Sequence, residues 1–177
     1  MLERRLPLPV KLVCAFLYRD PGTYLHVTCL LKKKFGEIDL ESQESVFEYT
    51  DYYDKEMGKP LYRRFISFAK LRDASQFVGI KLYCIALEKK FSHSGARTVN
   101  IDPGYLNEAK FVLTTTKDFF HRIYLGKGIF AELTMYYKDN AYQDLPTTYP
   151  DYRSPEYKQI LGQMRQLYRL QIQKIRK

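Results

Sequence analysis

Hydrophobic spacing divides the chain into short elements, with no linker or low-complexity segment to mark a second domain. Residues 10–18 are a nearly continuous apolar run, the pattern of a buried strand. Asp20-Pro21-Gly22 follows, with Asp as N-cap and Pro as first helical residue. The spacing predicts a helix to about Phe35, closed by Gly36. Residues 46–49 and 61–68 read as strands, joined by a tyrosine- and aspartate-rich connection over 50–58. Ser75 can cap a second helix ending near Phe91, on which Phe77, Ile80, Cys84, Leu87 and Phe91 recur at helical spacing.

Residues 97–101 alternate as a strand. Asp102-Pro103-Gly104 then repeats the cap signal and predicts a third helix to about Thr116. Residues 119–125 and 129–137 flank Gly126-Lys127-Gly128, a hairpin signal. A Pro- and Tyr-rich stretch, 142–153, leads to Ser154-Pro155-Glu156 and a last helix over 155–175. The expected fold is a single α+β domain over 1–177, a mainly antiparallel sheet with helices packed on it. Its core is a ferredoxin-like βαββαβ unit extended by αββα. The same string also divides into two βαββα units, with the two Asp-Pro-Gly corners equivalent. Capping chemistry favours such corners independently, so the duplication stays an alternative.

Composition sharpens the class more than the fold. With 45% hydrophobic and 28% charged residues in a chain of 177, disordered tails and fibres are excluded. No apolar run approaches the ~18 residues of a membrane span, and the first residues lack the apolar region of a secretory signal. Cys14, Cys29 and Cys84 each sit in apolar surroundings and read as buried free thiols, which suits a reducing cytoplasm. His26, His93 and His121 are too scattered for a zinc site.

The net charge of +9 is unevenly placed. Six basic residues and no acid lie between Tyr157 and Lys177, two-thirds of the excess. At helical spacing Lys158, Arg165, Arg169 and Arg176 fall within about 40° of one another. Ile160, Leu161, Met164, Leu167, Tyr168, Ile172 and Ile175 cover the other side. Such a helix suits RNA, DNA or an acidic partner, or is a solvated face on a helix packed to the core. Lys32-Lys33-Lys34 and Lys89-Lys90 fall in the last turns of predicted helices, where cations complement the helix dipole.

The polar strings between these elements are the most distinctive feature. Tyr49-Thr50-Asp51-Tyr52-Tyr53, Asn100-Ile101-Asp102-Pro103-Gly104-Tyr105-Leu106, the string from Thr116-Lys117-Asp118 to His121-Arg122-Ile123-Tyr124-Leu125-Gly126, and Thr148-Tyr149-Pro150-Asp151-Tyr152-Arg153-Ser154 resemble the signatures of one family. It is a prokaryotic single-domain family catalogued as a domain of unknown function. The resemblance covers nearly the whole chain. It implies a stand-alone domain of about this length, and carries no established activity, cofactor or catalytic residues.

Asp118 and His121, with Lys117 and Arg122 beside them and Asp102 and Glu132 elsewhere, have the chemistry of an acid, base and phosphate-binding site. On a strand over 119–125, His121 and Arg122 point to opposite faces. The plainer alternative makes Asp118 a turn residue, Arg122 an ion-pair partner and His121 structural. Asp102 is either a helix cap or an acid facing a metal or cationic substrate. Asp51 and Asp54 offer oxygens for Mg²⁺, but a structured turn explains them as well. Tyr53, Tyr105, Asp151 and Arg153 join Lys117 and Arg122 as candidate ligand contacts, with the 147–153 loop as lid or anchor.

Named motifs fail. There is no P-loop, and His26-Val27-Thr28 is only half of a two-histidine phosphodiesterase pattern. Residues 127–131 lack the aromatics of an RNA-recognition strand. The leading expectation is a cytoplasmic module binding an anionic ligand, a nucleotide or a nucleic acid. The alternatives are a metal- or acid/base-dependent enzyme on a phosphate or related ester, with Asp102, Asp118 and His121 catalytic and Glu132 a possible metal ligand, and a structural or assembly protein. Cofactor and oligomeric state are open.

Overall fold

The computed structural model describes residues 6–176. Within them the chain is α+β: a nine-stranded antiparallel sheet and four helices. The strands are β1 (Lys11–Tyr18), β2 (Ile38–Glu41), β3 (Ser45–Val46), β4 (Tyr62–Phe68), β5 (Val99–Leu106), β6 (Lys110–Thr115), β7 (Arg122–Gly126), β8 (Ile129–Lys138) and β9 (Ala141–Asp144). The helices are α1 (Pro21–Phe35), α2 (Asp54–Met57), α3 (Phe77–Lys90) and α4 (Pro155–Ile175). The sheet runs β2-β4-β1-β5-β6-β8-β7, with β3 against β4 and β9 against β8.

β1 sits at the centre, antiparallel to both β4 and β5. Thus β1 and β2 run parallel with β4 between them, and β4 and β5 run parallel with β1 between them. Each pair is joined through a helix, α1 or α3, so each is a β-α-β unit split by one strand. The apolar run of β1 follows from cover on both faces. Leu12, Cys14, Phe16 and Tyr18 meet Val27 and Leu31 of α1 and Ile80 and Cys84 of α3. Val13 and Ala15, on the other face, meet Tyr157, Leu161, Met164, Tyr168 and Ile172 of α4.

The caps at both long termini are as the residues predict. The Asp20 carboxylate accepts from the Thr23 N–H at 2.6 Å, and Ser154 Oγ accepts from the Tyr157 N–H at 3.2 Å. At the second helix the cap shifts: Asp73 accepts from the Ser75 N–H, and a 3-10 turn leads into α3. Two expectations are overturned. The second Asp-Pro-Gly opens no helix: Asp102, Pro103 and Gly104 lie inside β5, and 102–116 is a β-hairpin turned by Asn107, whose Oδ1 accepts from the N–H groups of Ala109 and Lys110. The αββα extension is therefore four strands and one helix, and the two corners are not equivalent. Cys29 is exposed, while Cys14 and Cys84 are buried.

The edge strand β7 and the turn before it expose Phe119, Phe120, Ile123, Tyr124 and Leu125. Among the described residues, no helix is long and apolar enough to cross a membrane.

Candidate functional site in a cleft between two parting strands

β5 pairs with β6 over three residues only, Gly104↔Leu113, Tyr105↔Val112 and Leu106↔Phe111. Beyond them the strands part, while β5 stays paired to β1 and β6 to β8. Pro103 explains the parting. In an antiparallel ladder a residue's N–H and C=O point to the same side. The Pro103 carbonyl faces β6, where it accepts from Thr114 Oγ1 at 2.6 Å, so its missing N–H breaks the ladder on that side. Gly104 marks the last close approach: a Cβ there would lie 2.4 Å from the Val112 carbonyl oxygen.

Helix α3 takes over the backbone groups that β6 leaves. The Ile101 N–H donates to Glu88 Oε1 at 2.7 Å, and Lys81 Nζ donates to the Ile101 carbonyl at 3.0 Å. Lys81 also lies 3.3 Å from Asp102 Oδ1. Burial works against the Lys81 ammonium, but Asp102 and Glu88 outweigh it and hold its pKa above the ordinary lysine value. Burial pushes the Glu88 carboxyl up, against the pull of Lys81. From Asp102 a chain of bonds runs outward: Asn100 Nδ2 donates to Asp102 Oδ2 at 2.7 Å, and Arg97 Nη1 donates to Asn100 Oδ1 at 2.6 Å. Arg97 grips Glu56 with two further bonds of 2.7 Å, which hold that carboxyl below its usual range.

The wedge opens into a cavity of about 500 Å³, within the size range of small-molecule sites. Its walls are aromatic and polar together. Phe47, Tyr49, Tyr52 and Tyr53 come from the segment before and at α2, Tyr149 and Tyr152 from the loop before α4, and Thr114 to Lys117 from the end of β6. At the mouth, Lys117 Nζ donates to the Tyr52 hydroxyl at 2.8 Å and lies 4.1 Å from the ring centre. That ammonium lowers the pKa of the phenol.

Among the described residues three lining side chains have hydrogen-bonding capacity left over: Arg63, Glu132 and Tyr152, whose hydroxyl is buried without a partner. Arg63, on β4, is 4% exposed and donates through Nη2 to Asp151 Oδ2 at 2.8 Å. Its guanidinium packs 4.9 Å from the Phe47 ring centre, and its Nε and Nη1 have no partner among the described residues. Burial pushes the Asp151 carboxyl up despite that pairing. Glu132, on β8, is 2% exposed. Its Oε2 accepts from Arg122 Nε at 2.8 Å, with His121 Nε2 at 3.3 Å and the Tyr149 hydroxyl at 3.5 Å, while Oε1 has no partner among the described residues. Arg122 also donates to the Tyr149 hydroxyl at 2.6 Å, and burial raises the Tyr149 pKa to about 12.

The cleft thus gathers residues from all four polar strings. Tyr53, Asp102, Lys117, Glu132 and Asp151 line it, and His121 and Arg122 stand behind Glu132. The expected opposition of His121 and Arg122 fails because His121 precedes β7 in a turn, so strand alternation does not reach it. Asp118 is exposed and outside the cleft. Tyr105 packs its ring on Phe77 at 5.0 Å, with the α1 and α3 core. Arg153 fastens the loop before α4 by donating to the carbonyls of Pro146 and Thr148, each at 2.9 Å, so there it is an anchor. Asp51 and Asp54 both pair with Lys59. Among the described residues no group of three or more His, Cys, Asp or Glu is placed to hold a metal ion, Glu132 included.

The basic helix face is mostly engaged. Lys158 pairs with Asp144 at 2.9 Å and Arg176 with Glu108 at 2.8 Å. Arg165 lies 3.4 Å from the Tyr137 ring centre and donates to the Glu108 carbonyl at 2.8 Å. Arg169 is exposed, and Lys177 lies outside the described residues. Sequence reasoning missed Arg63, Lys81, Glu88 and Arg97. The signal for Arg63 was a cation inside an apolar strand; for Lys81 and Glu88 it was a spacing of seven, two helical turns, on one helix.

The chain belongs to the family described as Domain of unknown function (DUF4416), which matches residues 8–168. No curated protein and no solved structure matches it.

Proposed function

We propose that this DUF4416 chain is a cytoplasmic binding module for a small anionic ligand with a planar ring, of the nucleotide class, seated in the cleft between β5 and β6. The observation that carries the reading is the unpartnered Nε and Nη1 of Arg63 in a tyrosine-walled cavity of about 500 Å³. A buried donor without an acceptor costs roughly 1–3 kcal/mol, and more when charged. An anionic group on a ligand removes that cost, and tyrosine faces stack on a planar ring. Lys117, exposed at the mouth and bonded to the Tyr52 phenol, supplies a second cation. The basic face of α4 supports a polynucleotide less well, because Lys158, Arg165 and Arg176 are already engaged.

The test is isothermal titration with nucleosides, nucleoside mono- and diphosphates, inorganic phosphate and a short RNA. Phosphorylated nucleosides bind the wild type, and affinity falls at least tenfold in Lys117→Ala and in Arg63→Lys. Binding of none of these probes, or binding unaffected by both substitutions, overturns the reading.

A second reading, an assembly protein, is favoured by one observation. The edge strand β7 and its preceding turn expose five large apolar side chains, and the strand's single charged residue, Arg122, turns inward to Glu132. In that reading two copies pair β7 to β7. A monomer by light scattering across micromolar concentrations overturns it.

A further inference from the structure

We infer that Glu132 reads a hydrogen-bond donor, an amino group or ring N–H, on the planar part of the ligand, and so sets the specificity of the cleft. The inference rests on the binding reading above and adds the chemistry of the ligand's other end.

The four lining carboxylates differ in what remains to them. Asp102 bonds Lys81 through one oxygen and Asn100 through the other. Asp151 pairs with Arg63, and Glu88 takes the Ile101 N–H and faces Arg97 at 3.8 Å. Glu132 is different: its three neighbours crowd one oxygen, and Oε1 is buried with no partner among the described residues. Buried carboxylate oxygens are normally satisfied, so this one suits a donor carried by a ligand. Arg122 and Tyr149, themselves joined at 2.6 Å, fix the carboxylate from behind. The side chain is 2% exposed, and Glu132 lines the cleft. Charge placement then defines the ligand class. Arg63 takes the anionic part, and Glu132 takes a donor edge.

Sites built to bond a ligand N–H reject the analogue that lacks it, because the buried group is then left unpaired. The experiment compares nucleoside monophosphates whose bases carry amino or ring N–H donors with purine riboside monophosphate, whose base has neither. In the wild type, at least one donor-bearing nucleotide binds tenfold or more tighter than the purine riboside. In Glu132→Gln that preference collapses while the gain from adding a phosphate to the nucleoside persists. Should Glu132→Gln fail to fold by circular dichroism, Glu132→Asp withdraws the carboxylate and has the same expected effect. A preference unchanged in the folded variant, or no preference in a wild type that binds nucleotides, overturns the role of Glu132 and leaves the binding reading standing. A wild type that binds no nucleotide overturns both.

Discussion

Gly104 shows how much one backbone position decides. The tripeptide Asp-Pro-Gly occurs twice, and its residue types favour a helix start both times. At Asp20 the prediction holds, because the carboxylate accepts from the Thr23 N–H. At Asp102 the same side chain bonds Lys81 and Asn100, and the backbone stays extended. The legible difference lay downstream: Asn107 is a turn former, and a hairpin turned there needs an extended 99–106. Long-range pairing with β1 was not legible, since nothing local encodes which strand lies alongside. Gly104→Ala tests this position. The new methyl carbon meets the Val112 carbonyl oxygen at 2.4 Å, a backbone atom that cannot rotate away. The expected cost is about 2 kcal/mol or more, lowering Tm by about 5 °C in thermal denaturation. An unchanged Tm would mean that the strands do not approach there.

Among the elements, α3 lies close to its predicted extent and was the least understood in role. Its apolar residues at helical spacing place it on the sheet. Charged residues on such a helix read as solvent-facing, so Lys81 and Glu88 drew no attention. They are buried because Pro103 breaks the ladder and leaves Ile101 in need of a donor and an acceptor. Lys81→Met removes the ammonium and leaves the Ile101 carbonyl unpaired, at an expected loss of about 2–4 kcal/mol by chemical denaturation. The double variant Lys81→Met/Asp102→Asn recovers part of that loss, because the uncompensated carboxylate goes with it. A double-variant loss equal to the sum of the Lys81→Met and Asp102→Asn losses would show that the ion pair is not coupled.

The short α2 is tied to the segment leading into β5 by the Glu56–Arg97 pair, and its pH dependence has a definite sign. Arg97 lowers the Glu56 pKa, so the contribution is present above the unfolded value of about 4.3 and is lost as pH falls through the folded value. Both side chains are about a third exposed, so it amounts to roughly 1 kcal/mol or less. The Tm gap between wild type and Glu56→Gln is therefore widest above about pH 5 and narrows toward pH 3. A gap independent of pH would assign the effect to packing.

For the whole molecule, charge and fold turn out to be separate matters. The +9 invites a nucleic-acid reading, and two-thirds of it belongs to the end of the chain. Yet α4 packs on one face of the sheet through Tyr157, Leu161, Met164, Tyr168 and Ile172. A truncation after Ser154 consequently cannot isolate the charge. It strips five buried anchors, each worth about 2–5 kcal/mol, from a domain whose whole stability is of order 5–15 kcal/mol. Single substitutions on the ridge separate the roles. Arg165 stacks on Tyr137 and bonds the Glu108 carbonyl, so Arg165→Ala removes contacts between α4 and the sheet. An expected loss of about 1–2 kcal/mol follows from the stacking and the hydrogen bond together. Arg169 is exposed, and Arg169→Ala stays within about 0.5 kcal/mol of the wild type. If the ridge instead served a polyanion, both variants would weaken salt-sensitive RNA binding to a similar extent, because phosphate contacts count charges rather than stacking partners. Thermal melts beside RNA titrations at two salt concentrations decide between them: unequal melts with no RNA binding place the ridge in the fold, and equal losses of RNA affinity place it in function.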